Sequence, residues 1–341
     1  MKNTPSVHAF VLGVVFAGFA ALAQAEVHYQ LLTEIPLGGE GGWDCLSVDA
    51  SAHRLYVTHA TKIVVIDTTK DVVTGEIDGL IGAHDFAIAP KEGRGFASNG
   101  RENTVSMVDL GNLKTLARIS TGQNPDVMLF EPTQEEVYAF NGRGQSATVI
   151  APGTGTVTAT IALGGKPEFA RADGARVLVN LEDKNEVAVL DVKTHAVTNR
   201  WPIAPGEEAT GMGIDREHHR LFLGCGNAKL VVLDSLDGHV VATLPAGNGI
   251  DGAAFDAGTQ LAFTSNGADG TVTVVHEDTP DKFTVVQTLT TERGARTMAV
   301  DPASHKIYLP SAVFEAKKPG DTKRPKMVPG TFKVLVYALK N

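Results

Sequence analysis

An all-β fold of equivalent units closed into a ring is what this chain predicts, on three observations. The stretch Gly41-Gly42-Trp43-Asp44-Cys45-Leu46-Ser47-Val48-Asp49 is rewritten six more times. The copies are Ala83-His84-Asp85-Phe86 running to Pro90, Asn124-Pro125-Asp126 to Glu131, Lys166-Pro167-Glu168 to Asp173, Glu208-Ala209-Thr210 to Asp215, Gly249-Ile250-Asp251 to Asp256, and Gly294-Ala295-Arg296 to Asp301. Their endpoints lie 41, 41, 42, 42, 41 and 45 residues apart, and each interval carries short strand-like segments. A period of about 40 to 45 residues with four strands per unit is one blade of a β-propeller. Finally, 36 glycines and scarce helical periodicity suit a chain that turns often, and argue against a helix bundle or a doubly wound sheet. Seven copies predict a seven-bladed β-propeller of four-stranded antiparallel blades.

The chain opens on a different pattern. Lys2 precedes an apolar run over residues 9–22 that ends in Ala23-Gln24-Ala25. Small residues three and one before Glu26 fit a secretory leader cleaved after Ala25, and the run is too short for a stable span. The expectation is a periplasmic or secreted protein with no membrane span in the mature chain. With no cysteine beside the cleavage point, a lipid anchor is not expected. Residues 1–25 are thus read as signal peptide and 26–341 as one propeller domain.

Residues 28–37 read as a single strand with no blade of its own, while the last repeat shows three strands, over 297–300, 306–310 and 332–339. The N-terminal strand is expected to supply the fourth, which pairs the chain ends and removes two exposed sheet edges. Second strands recur as Leu55-Tyr56-Val57-Thr58, Gly95-Phe96-Ala97-Ser98, Val137-Tyr138-Ala139-Phe140 and four relatives, rich in aromatic and β-branched residues as packed strands require. Third strands such as Ile63-Val64-Val65-Ile66-Asp67 follow, and the fourth are more polar. Tyr56-Val57-Thr58-His59 and its six relatives resemble the repeat of the YVTN β-propeller family, the YncE-like secreted proteins. The resemblance covers nearly all of the mature chain, implies the propeller fold and implies no shared catalytic motif. The last motif position reads His59, Asn99, Asn141, Asn180, Cys225, Asn266 and Ser311. Cys45 and Cys225, the only cysteines, fall in blades one and five, which are not neighbours, so both are expected to be buried free thiols.

Thirty basic against thirty-nine acidic residues give a net charge of −9, which disfavours nucleic acid and anionic membrane and favours a neutral or cationic partner. In a propeller, the turn entering each innermost strand and the loop leaving each second strand share one mouth of the central channel, where binding loops gather. Five residues before each endpoint stand Asp44, Asp85, Asp126, Glu168, Thr210, Asp251 and Arg296, with Glu208 near enough to complete an acidic ring. Carboxylates crowded at a narrow mouth repel unless protons, cations or basic groups relieve them. Asp44, Asp85, Asp126, Glu168 and Asp251 are therefore candidate ligands for a divalent cation, Ca²⁺ or Mg²⁺ by their oxygen chemistry, with His84 or His59 able to widen the choice. Asn99 and Asn141, each followed by Gly and Arg, are candidate ligand contacts on the same side, though Asn-Gly is first a turn signal. The competing expectation is that each carboxylate accepts hydrogen bonds from its own turn or the next blade.

Residues 313–330 form the one large irregularity. They carry Lys317, Lys318, Lys323, Arg324 and Lys326 against Glu315 and Asp321, with Pro319, Pro325 and Pro329 holding the segment extended, either as a basic flap over the mouth or as a solvated loop. His53, His218-His219 and His305 fall in the turns of the opposite face, where repetition suggests architecture. Hydrolase elbows, a metalloprotease helix, a P-loop and a covalent haem motif are absent from the sequence. Two functions lead: a binding or interaction propeller for a small molecule or protein at the mouth, and behind it a divalent-metal-dependent enzyme of the lactonase or lyase kind. A third, partner subunit of a redox enzyme, is neither supported nor excluded by the residues.

Overall fold

The computed structural model describes Met1, residues 28–316 and residues 325–340. The expected leader, residues 1–25, therefore lies outside the described residues apart from Met1, and so does the middle of the 313–330 insertion. Among the described residues, no helix is long and apolar enough to cross a membrane.

Seven four-stranded antiparallel sheets form the ring. Blade 1 comprises Leu46–Asp49, Arg54–His59, Lys62–Asp67 and Val72–Ile77, and blades 2 to 6 span residues 83–120, 125–162, 167–202, 209–245 and 250–290. Blade 7 holds Ala299–Val300, Ile307–Ser311 and Lys333–Leu339, and its outer strand is Tyr29–Pro36 from the other end of the chain, paired from Tyr29↔Leu339 to Pro36↔Lys333. The expected closure is thus present. Second and third strands are apolar on both faces because each blade is covered by its two neighbours, whereas outer strands alternate with solvent. The core is a circle of interblade clusters. One joins Tyr138, Val149 and Ile161 of blade 3 to Val177, Val179 and Leu190 of blade 4. Cys45 and Cys225 are both buried and free.

The asparagines of the repeat serve this architecture. Asn99 Nδ2 donates to Thr104 Oγ1 and Ser106 Oγ at 3.2 and 2.9 Å, and Asn141 Nδ2 to Ser146 Oγ and Thr148 Oγ1 at 3.1 and 3.0 Å, clamping second to third strand within a blade. Asn180 instead reaches the carbonyls of Thr210 and Gly211 in blade 5. His59, at the same position in blade 1, is buried against Phe332 with ring centroids 4.4 Å apart.

The insertion is more regular at its base than three prolines suggested. Phe314 bridges Met327, Glu315 N–H donates to the Lys326 carbonyl and Val328 N–H to that of Val313, an antiparallel stem. Phe314 and Met327 pack on the core between blades 7 and 1, with Phe314 5.9 Å from Trp43, which stacks in turn on Phe332 at 5.0 Å. Of the five basic residues of the expected flap, Lys317, Lys318, Lys323 and Arg324 lie outside the described residues, and Lys326 stands exposed in the stem.

Candidate functional site

Inner strands enter the channel through a register shift. Pairing jumps between Ala83 and Phe86, Pro125 and Met128, Pro167 and Ala170, Ala209 and Gly211, and Ile250 and Gly252. A bulge leaves its extra residue unpaired and re-aims the side chain. That is why the mouth is lined by Asp126, Glu168, Thr210 and Asp251, joined by Asp44 and Arg296, around a cavity of about 230 Å³.

Blade 2 departs from the spacing. Its inner strand ends on the pair Ala89↔Arg94, as blade 1 ends on Asp49↔Arg54, so the strand closes one residue before Pro90. The ring position is therefore His84, and Asp85 is the next residue, turned into the channel wall and only 5% exposed. Asp85 Oδ2 accepts from the Met128 N–H at 2.9 Å, and Oδ1 from the Phe86 N–H at 2.8 Å and the Ser47 hydroxyl at 3.2 Å, so it ties blades 1, 2 and 3 together. Burial pushes its carboxyl up to about 6 against those bonds.

His84 completes the acidic group instead. Its Nδ1 lies 2.6 Å from Asp44 Oδ2 and 3.5 Å from Asp126 Oδ1. Burial opposes the imidazolium, but the bond to Asp44 and the fields of Asp126, Asp44 and Asp85 outweigh it and hold His84 above its ordinary value. Asp126 is pushed up to about 6 by burial and then by Asp44. Glu168 reaches about 8, through burial first and Asp126 second.

Two cations answer these carboxylates. Arg296 Nη1 donates to Asp251 Oδ2, and Lys166 Nζ bridges Glu168 Oε1 at 2.7 Å and Glu182 Oε2. Lys166 and Glu182 were not singled out in the sequence. Glu182 sits on a short 3₁₀ turn, Glu182–Lys184, that leaves the second strand of blade 4, and Lys166 immediately precedes its inner strand. The signal for Lys166 was its place two residues before Glu168. Glu208 is exposed with φ at 51°, its N–H bonded to Asn185 Oδ1, and it does not line the cavity. Arg101 and Arg143 are exposed. Asn99 and Asn141 direct their amide nitrogens into their own blades, as described above.

Below the mouth the channel widens into a cavity of about 500 Å³ toward the opposite face, lined by Val127, Met128, Phe169, Ile214 and Met298 with Asp85, Arg171 and Arg216. Arg171 Nη1 donates to the Ala170 carbonyl, and Arg216 donates through two nitrogens to that of Ala172. Burial and then Arg216 lower Arg171 to about 10. The channel is thus acidic at one end and basic toward the other.

The chain is similar in fold to hydrazine synthase of Kuenenia stuttgartiensis, at 16% identity over 79% of this chain and 92% of that one, with a TM-score of 0.69. It is also similar to the β-propeller domain of Cps50 (Swd1) from Myceliophteria thermophila, at 9% identity over 92% of this chain and 100% of that one, with a TM-score of 0.71. At these identities the likeness is one of fold. No family model and no curated protein matches the chain.

Proposed function

We propose that this chain is a secreted or periplasmic binding propeller of the YVTN-repeat type, whose acidic mouth receives a cationic group, a divalent ion foremost. One observation carries the reading: Asp44 Oδ2 and Asp126 Oδ1 converge on His84 Nδ1, at 2.6 and 3.5 Å, beside the 230 Å³ cavity. A proton on His84 and a divalent ion compete for the same two oxygens, so the ion binds more tightly as pH rises. The imidazole extends the choice from Ca²⁺ and Mg²⁺ toward Mn²⁺ and Zn²⁺. Arg296 and Lys166 line the same cavity and suit the negative end of a ligand whose positive end, or whose bound ion, faces Asp44 and Asp126. The leader-like residues 1–25 support export.

The same triad favours a second reading, a metal-dependent lactonase- or lyase-like enzyme. Two carboxylates and one imidazole leave coordination positions on an ion where a carbonyl would be polarised. The experiment for both is a thermal melt of the chelated chain with each of Ca²⁺, Mg²⁺, Mn²⁺ and Zn²⁺. Saturation at about a hundredfold over Kd adds about 2.7 kcal/mol, a rise of a few degrees. The expected result is a rise for at least one ion that Asp126→Asn abolishes. If no ion gives an Asp126-dependent rise, the cation reading fails. Ion-dependent lactone opening that Asp126→Asn removes would establish the enzyme.

A further inference from the structure

A second group of ligating side chains lies on the face opposite the acidic mouth. Asp215, His218 and Glu277 bring one ligand atom each to within 4.8 Å of one another. Asp215 ends the inner strand of blade 5 and His218 follows in its turn, whereas Glu277 stands in the third strand of blade 6, Thr271–Thr279. His218 Nδ1 is 2.6 Å from Asp215 Oδ2 and 3.3 Å from Glu277 Oε1.

The repeat itself separates architecture from departure. Asp215 Oδ1 accepts the Glu217 N–H, as Asp49, Asp256 and Asp301 cap their own turns, so that oxygen serves the fold and Oδ2 faces His218. Glu277 has no such precedent. Strand register puts Thr68, Leu110, Pro152, Val192, Ser235 and Leu339 at its position in the other blades, none of them acidic. Glu277 is 4% exposed, and neither of its carboxylate oxygens has a hydrogen-bond partner. Arg220, the cation nearby, donates instead to Asp234, Asp281 and the carbonyls of Pro280 and His219. A buried carboxylate that accepts no hydrogen bond and faces a second carboxylate across His218 Nδ1 needs a proton or a cation at that point.

We propose that Asp215, His218 and Glu277 bind a divalent transition ion of the zinc class that fastens blade 5 to blade 6. One imidazole and two carboxylates select such an ion over Ca²⁺ or Mg²⁺. Tetrahedral ligands about 2.0 Å from zinc stand about 3.3 Å apart, the separation of His218 and Glu277. The shorter His218 to Asp215 contact opens by roughly 0.7 Å when Nδ1 exchanges its proton for the ion. Half-exposed His218 provides the way in and leaves the fourth position to water.

The test is calorimetric titration of the chelator-stripped chain with Zn²⁺, and with Co²⁺ followed by the visible absorption of its four-coordinate form. Asp126→Asn, which removes the mouth's contribution, is expected to keep one site for the ion, and Glu277→Gln or His218→Gln added to it weakens that remaining site at least about tenfold. Glu277→Gln keeps the shape and removes the like-charge contact, so its melting point without metal stays at or above that of wild type. Unchanged binding when Glu277→Gln is added to Asp126→Asn, or none in Asp126→Asn itself, overturns the proposal and leaves a proton shared between Asp215 and Glu277. Because the mouth is read by Asp126→Asn and this pocket by Glu277→Gln, either site can fail alone.

Discussion

Glu168 makes the crowding at the mouth measurable. Its carboxyl is raised from the ordinary 4.5 to about 8, by burial first and by Asp126 second, with Lys166 opposing. The folded chain therefore holds a proton that the unfolded chain releases, and the stability linked to it is fully present below about pH 4 and lost as pH rises through 8. The melting point of the chelated chain is expected to fall by several degrees between pH 5 and pH 8.5, and Glu168→Gln to flatten that fall. An unchanged slope in Glu168→Gln would show that Lys166 keeps the carboxylate ionised throughout. The position of Glu168 was legible because a fixed period returns the chain to the same loop in each blade. Asp85 shows the limit of that reasoning: counting from Pro90 slips by one residue, and in a bulged strand one residue decides between the mouth and the wall. Lys166 with Glu182, and Glu277 with Asp215, were not legible, because each pairing joins two segments whose meeting depends on loop geometry or on the neighbouring blade.

At the scale of the element, blades 5 and 6 meet along a seam that admits no side chain. A Cβ on Gly211 would lie 2.2 Å from the Ala253 nitrogen, and one on Gly213 would lie 2.7 Å from the Ala254 carbonyl carbon. Backbone cannot yield as a flexible side chain does, so Gly211→Ala is expected to cost about 2 kcal/mol or more, read as a lower urea midpoint with little change in slope. Retained stability would mean that the two inner strands separate freely. The close seam brings the ends of both strands together at the face where Asp215 approaches Glu277. Strand order and count followed from the repeat, since apolar second and third strands with polar fourth strands admit one arrangement in a closed ring. The stem of the insertion did not: lysines and prolines dominate residues 313–330, and only Phe314 and Met327, isolated among them, mark the pairing that holds its base to the core.

Ring closure is decided at the scale of the whole molecule, by Tyr29–Pro36. This strand pairs with Lys333–Leu339, and Tyr29 also joins blade 6: Gln287 accepts from its N–H at 2.8 Å and donates to its carbonyl at 2.9 Å, and its ring meets Phe263 edge-on at 5.5 Å. Its hydroxyl donates to the His305 carbonyl at 2.9 Å in the adjacent blade 7 turn. Tyr29→Ala therefore loses a fully buried aromatic ring and a hydrogen bond and is expected to cost about 3–5 kcal/mol. Removing residues 26–37 exposes the edge of Lys333–Leu339, an unpaired strand that recruits another copy. The truncated chain should elute larger than the intact one and melt at lower temperature, and a peptide of residues 26–37 added in excess should reverse both changes. The mouth stands on the same closure, since Arg296 comes from blade 7 while Asp44 and His84 come from blades 1 and 2. An opened ring should thus lose Asp126-dependent cation binding and regain it with the peptide. Truncated chain that stays monomeric and binds as before would show that six complete blades suffice to hold the ring, and the account of closure given above would be wrong.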